Sequence, residues 1–214
     1  MDDPGGKALK LKTTLYLLRH GEVHNPENIL YGRLPGYRLS AAGKAQARAA
    51  GEWLADKAVC AIYCSPMQRA QETAAIIANY VSGSMPTIDP RINEVHTPHA
   101  GQPTAELAKG GWDLYTGNQP PYETPQVVLE RVLDFFDLVR KRHAGKTAAA
   151  VGHGDILVFP WLHAQGEAPE ALMKDRLREY GLPVAYPATA SIMRFDLAGD
   201  PRASLPSASY HCPY

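Results

Sequence analysis

Short apolar runs and longer amphipathic stretches alternate along the chain. "TTLYLLR" (13–19) is apolar at consecutive positions, which suits a strand buried on both faces. "VCAIYCS" (59–65) reads the same way, and "TAAAVGHGD" (147–155) repeats the opening pattern of small apolar residues followed by histidine and glycine. Ser40 is placed to cap a helix over 41–57 with Trp53 and Leu54 on its apolar face. Pro66 suits the first turn of a helix reaching Tyr80. "PQVVLERVLDFFDLVRKRH" (125–143) has helical periodicity and crowds basic residues into its last turn, where the helix dipole favours them. Further helices are expected from Asp155 and over 169–180, with "TASIMRFDL" (189–197) as the last strand.

The remaining segments are loops. Pro26, Gly32, Pro35 and Gly36 punctuate 20–39. "TIDPRINEV" (87–95) reads as a short strand passing into a loop. Residues 96–125 are the least regular, with one or two helical turns near 104–115, and long loops of this kind are often functional. Strands alternating with helices predict an α/β fold, a three-layer α/β/α sandwich around a mostly parallel sheet. One domain over 13–200 is expected, between a loose tail at 1–12 and a second tail at 201–214.

Composition narrows the partners. Apolar residues are 45% of the 214 and charged residues 21%, ordinary for a soluble globular domain. Lys+Arg and Asp+Glu balance at 22 each, so no global field recruits nucleic acid or an anionic membrane. No apolar stretch approaches the roughly 20 residues of a membrane span, and the start of the chain lacks the apolar run of a signal peptide. Cys60 and Cys64 lie four apart on a strand, roughly 13 Å at about 3.3 Å per residue, too far for a disulfide. With Cys212 in the tail, a reduced, cytoplasmic setting is expected.

Chemistry gathers where the strands end. Arg19-His20-Gly21 closes the first strand and Gly152-His153-Gly154 the late one. In a parallel sheet both emerge at the carboxyl edge, where ligands bind. Arginine suits an oxyanion there, and the glycines let backbone amides approach closely. Arg69 falls near the start of a helix, where the dipole already favours an anion. Glu94 follows the short third strand.

These motifs, in this order, resemble the histidine phosphatase superfamily, the phosphoglycerate mutase-like proteins of the Arg-His-Gly phosphatase branch. The matching residues are Arg19-His20-Gly21, Asn25, "YGRLPGYRLSAAG" (31–43), "SPMQRAQETA" (65–74), Glu94 and "VGHGD" (151–155), and the match spans 13 to about 197. The resemblance implies a phosphoglycerate mutase-like fold and a histidine acid-type phosphatase, a phosphoric monoester hydrolase. It makes His20 the nucleophile that forms a phosphohistidine, and Glu94 the general acid. Arg19, Arg69, the catalytic His153 and the Gly154 amide would form the phosphate pocket, with Asn25 supporting. Positive charge around the phosphoryl oxygens is what this transfer needs, and since the arginines supply it, no metal or other cofactor is implied.

Two departures stand out. Asn25 lies one position closer to His20 than in many members, and "VHTPHAGQP" after Glu94 lacks the frequent Gly-x-x-Glu-Gly pattern. His96 and His99 read as substrate contacts or surface residues before they read as a metal pair. A mutase needs extra cations over the pocket, yet 95–125 holds only Lys109 against Glu106, Asp113 and Glu123. Mutase chemistry therefore ranks below phosphatase, and a non-catalytic phospho-ligand module below both. The expected partner is a small phosphorylated substrate, with no nucleic acid and no membrane. The oligomeric state is left open, a homodimer being one option. Tyr31, Arg33, Arg38, His24, His96, His99, Trp112 and Tyr115 are the loop residues available to shape the substrate's pocket.

Overall fold

β1 (Thr13–Arg19) lies inside the sheet, and its side chains divide strictly between the two faces. Leu15 and Leu17 enter one apolar cluster, Tyr16 and Leu18 the other. A strand buried on both sides must be apolar at successive positions, which explains the unbroken run. The computed structural model describes residues 12–81 and 85–214. The reading of the first twelve residues as a tail lies, Lys12 apart, outside the described residues.

β2 (Val59–Cys64), β3 (Thr87–Ile88) and β4 (Thr147–Gly152) run parallel to β1, with Arg19 level with Gly152 in the β1–β4 register. β5 (Ile192–Leu197) pairs antiparallel with β1, and β6 (Ser207–His211) antiparallel with β5. The order is β3-β2-β4-β1-β5-β6. Helices α1 (Ala41–Leu54) and α2 (Gln68–Ala78) pack on the Tyr16/Leu18 face. The short α3 (Thr104–Lys109), α4 (Pro125–Arg142) and α5 (Gly154–Ala164) belong with the Leu15/Leu17 face. This is the expected three-layer α/β sandwich.

Local chemistry sets the helix ends. The Ser40 hydroxyl accepts from the Gly43 N–H at 3.0 Å, and Thr124 caps α4 just before Pro125. Arg140, Lys141 and Arg142 fill the last turn of α4, as expected. α5 is apolar around most of its circumference and is buried from Gly154 to Leu162, as such a helix must be.

Two expectations need correction. Residues 169–180 form no α-helix, only a 3-10 turn at Met173–Arg176. Tertiary bonds override helical propensity there: Lys174 Nζ donates to the Trp112 carbonyl and Trp161 Nε1 to the Tyr180 carbonyl. The short strand expected within 87–95 is present, held to two residues because Pro90 starts a 3-10 turn capped by Asp89. Residues 201–214 are not simply a tail, because 207–211 make an edge strand. Its polar Ser207 and Ser209 gave it no apolar signature. The three cysteines are free, Cys64 buried and Cys60 exposed. Among the described residues no helix is long and apolar enough to cross a membrane.

Candidate active site

Arg19, His20, His153 and Gly154 stand where β1 and β4 end side by side. The loop after β1 is pressed against the start of α1. A Cβ at Gly21 would lie 2.4 Å from the Gly43 carbonyl oxygen, and one at Gly43 would lie 2.0 Å from that of Glu22. Both positions need glycine for this backbone contact. The Thr73 hydroxyl accepts from the Gly21 N–H at 3.1 Å and donates to the Arg69 carbonyl one helical turn back, at 2.8 Å. The four-residue spacing of Arg69 and Thr73 thus ties α2 to the His20 loop.

His20 is 1% exposed, and its Nδ1 lies 2.7 Å from the Gly21 carbonyl. A carbonyl only accepts, so Nδ1 carries the proton and Nε2 keeps its lone pair. Burial pushes the His20 pKa well below the usual histidine value, and Arg69, His153 and Arg19 push the same way. The ring is neutral at physiological pH, with the Nε2 lone pair available.

Arg69 is fully buried, with Nη2 donating to the Gly32 carbonyl at 2.8 Å and to Glu94 Oε2 at 3.0 Å. Its guanidinium also lies over Tyr31, 4.7 Å from the ring centre. Arg19 donates to the Pro187 carbonyl at 2.7 Å and covers the Tyr186 ring. The Nε–H groups of both arginines are buried without a partner among the described residues. A buried and a half-buried cation, each with a spare donor, suit an oxyanion.

Glu94 follows the 3-10 turn after β3 and keeps 17% of its side chain exposed. Burial alone would raise its pKa. His153 and Arg69, with the Val95 N–H on Oε1, outweigh that and hold the carboxyl well below its ordinary value. His153 Nδ1 sits 3.2 Å from Glu94 Oε2, and its Nε2 is 2.7 Å from the Ser65 hydroxyl. Burial pushes the His153 pKa down to about 4, against the opposing pull of Glu94. At neutral pH His153 is therefore uncharged, and the carboxylate keeps its charge through Arg69 and hydrogen bonds. Without substrate, Glu94 carries no proton to donate.

A cavity of about 420 Å³ opens over this cluster. Arg19, His20, Glu94 and Gly154 line its inner end, and Leu30, Tyr31, Val95, Trp112 and Leu114 are among its other walls. Asn25 is not a lining residue. Its amide donates to the Ile29 carbonyl at 2.9 Å and accepts from the Ile29 N–H, closing its own loop. In this structure its side chain braces the loop after β1. His96 and His99 diverge, bonded to the Pro121 carbonyl and to Gln102 Oε1. Arg33 turns to the Glu94 carbonyl and to Glu123.

Three site residues were not singled out from sequence. Lys174, 7% exposed, reaches the cavity from the 3-10 turn, 3.4 Å from Asp155 Oδ2. Asp155 also accepts from the hydroxyls of Tyr115 and, at 2.6 Å, of Tyr186. Burial raises both phenol pKa values well above normal, and Asp155 reinforces the shift, so they remain donors. Tyr186 packs so closely on Gly154 that a Cβ there would lie 2.0 Å from its hydroxyl oxygen. The Gly-His-Gly-Asp string hinted at Asp155; nothing local marked Lys174 or Tyr186.

The ligand-type atoms of His20, Glu94 and His153 lie within 4.8 Å of one another, a spacing that could admit a metal. Arg69 already holds Glu94 Oε2 and places positive charge there. The donor set fits an anion better than a cation.

The fold is shared. Residues 15–184 match the model of the histidine phosphatase superfamily (branch 1). The Mycobacterium tuberculosis (strain ATCC 25618 / H37Rv) protein Rv0525 is 40% identical over 149 residues, 66% of this chain and 73% of its own length. The Bacillus subtilis (strain 168) phosphatase PhoE is 29% identical, with 74% of this chain and 80% of that protein covered. Among solved structures, the mycobacterial glucosyl-3-phosphoglycerate phosphatase Rv2419c superposes with a TM-score of 0.72 at 21% identity, covering 92% of this chain and 96% of that one. With phosphatase relatives, a matching fold and the histidine–arginine cluster in place, this chain belongs to the histidine phosphatase superfamily.

Proposed function

We propose that the protein is a metal-independent phosphatase that hydrolyses phosphomonoesters through a phosphohistidine on His20. One observation carries the reading. The buried, neutral His20 ring is locked through Nδ1, leaving Nε2 as a lone pair beside two arginines. Nε2 attacks phosphorus as the bond to the ester oxygen breaks. Arg19 and Arg69 stabilise the charge spread over the phosphoryl oxygens. The leaving oxygen takes a proton from Glu94.

That proton must arrive with the substrate, because Glu94 is a carboxylate in the ligand-free site. A phosphate monoanion can bring it. The incoming oxyanion also competes for Arg69, which raises the affinity of the carboxyl for a proton. In the second step Glu94 accepts a proton from water as that water attacks phosphorus and the P–N bond breaks. The mutase alternative draws no support from Lys174, because that cation is already paired with Asp155.

Rapid quench with a labelled phosphomonoester should trap a protein-bound phosphate that is acid-labile and base-stable, in the presence of EDTA. His20→Ala should lose both label and turnover. Label persisting in that variant, or a requirement for one divalent ion, would overturn the assignment.

A further inference from the structure

Given the phosphomonoesterase reading, we propose that the cavity selects esters whose alcohol carries an apolar or aromatic face and no second anionic group. Away from Arg19, His20, Glu94 and Gly154 the cavity is lined mainly by Leu30, Val95, Leu114, Ala185 and Trp112. A wall of this composition gains free energy by covering apolar surface. Trp112 is 38% exposed at a backbone φ of +58°, a conformation that bulky residues rarely adopt. It is held there from both sides: its N–H donates to the Leu107 carbonyl and its carbonyl accepts from Lys174. A large indole kept half-exposed at a cavity, on strained backbone, is a platform for a ligand.

Charge at this end points the same way. A second phosphate or a carboxylate on the alcohol would need a free cation. Lys174 spends donors on the Trp112 carbonyl and on Asp155. Arg33 and Arg131 are drawn to Glu123, and neither lines the cavity. The Tyr115 and Tyr186 hydroxyls point to Asp155. A second anion would therefore meet the Asp155 carboxylate and donors already engaged, and would lose hydration without compensation. The Lys174–Asp155 pair makes the pocket neutral beyond the phosphate.

The test uses esters with alkoxide leaving groups, so that leaving-group acidity does not decide the order. 2-Phenylethyl phosphate, glycerol 3-phosphate and 3-phosphoglycerate are compared by kcat/KM. The phenylethyl ester should exceed 3-phosphoglycerate by at least about tenfold, the size of one modest charge interaction. Asp155→Asn, which frees the charge of Lys174, should move that ratio towards 3-phosphoglycerate by about tenfold or more. Should Asp155→Asn not fold, Trp112→Ala at the half-exposed wall serves instead, and should lower kcat/KM for the phenylethyl ester more than for glycerol 3-phosphate. Preference for 3-phosphoglycerate in the wild type, or equal losses in Trp112→Ala, overturns this inference and leaves the phosphatase reading standing. No turnover of any ester overturns the phosphatase reading and this one with it.

Discussion

Replacing Glu94 with glutamine should weaken catalysis and strengthen phosphate binding at once. Glutamine keeps the size and polarity of the side chain but cannot serve as the acid. General acid help is typically about 10²–10⁴-fold. The loss should appear in phosphoenzyme formation from an alkyl phosphate, whose alkoxide needs a proton. p-Nitrophenolate, with a pKa of about 7 against roughly 10 for tyrosine, needs little help. Binding should move the other way. Glu94 Oε2 sits 3.0 Å from Arg69, so the carboxylate competes with phosphate for that guanidinium and repels it. At about 4 Å and an effective dielectric near 20, one pair of unit charges is worth up to about 4 kcal/mol. A third of that, about 1.4 kcal/mol, makes inorganic phosphate bind tenfold more tightly.

The assay is single turnover, because in the proposed mechanism dephosphorylation also uses Glu94, which would mask the first step in the steady state. Product inhibition by inorganic phosphate measures the binding arm. Equal slowing of alkyl and p-nitrophenyl esters would show that Glu94 positions phosphate without protonating the leaving group. Unchanged or weaker phosphate binding would refute the electrostatic argument separately.

Acid should destabilise the fold before it titrates ordinary carboxylates. His20 and His153 have pKa values pushed below the usual 6.5, so the unfolded chain binds more protons as pH falls below about 6.5. The thermal midpoint should therefore drop steadily between pH 6.5 and 4, and a flat profile there would mean that the buried imidazoles are not neutral. Gly154→Ala forces a Cβ to within 2.0 Å of the Tyr186 hydroxyl oxygen. Overpacking of this kind costs about 1–3 kcal/mol, and the displaced Tyr186 should disturb Arg19 and lower kcat/KM. An unchanged melting temperature with full activity would show that the Tyr186 contact is dispensable.

The inner end of the site was legible in the sequence because it is made at strand ends. Arg19, His20, His153 and Gly154 each follow an apolar run, and a parallel sheet brings such ends together. Arg69 and Glu94 were readable through their motifs, and the structure joins them by one ion pair. The outer end was not legible. Lys174 comes from a segment whose helical spacing gives way to tertiary hydrogen bonds, and Tyr186 from a stretch without periodicity. The ionisation of Glu94 was also hidden, since it depends on two partners 25 and 59 residues away. β6 escaped notice because an edge strand needs no apolar face.

The two borders of the sheet share a device against growth by strand addition. β3 is two residues long, with Pro86 just before it and Pro90 just after Asp89. β6 begins after Pro206 and ends two residues before Pro213. Proline offers no N–H to a further strand, and short borders leave little ladder to copy. A second chain laid along either border would run out of partners within a few residues. The mixed topology that places the ends of β1 and β4 inside the sheet thus comes with margins that resist fibre-like pairing.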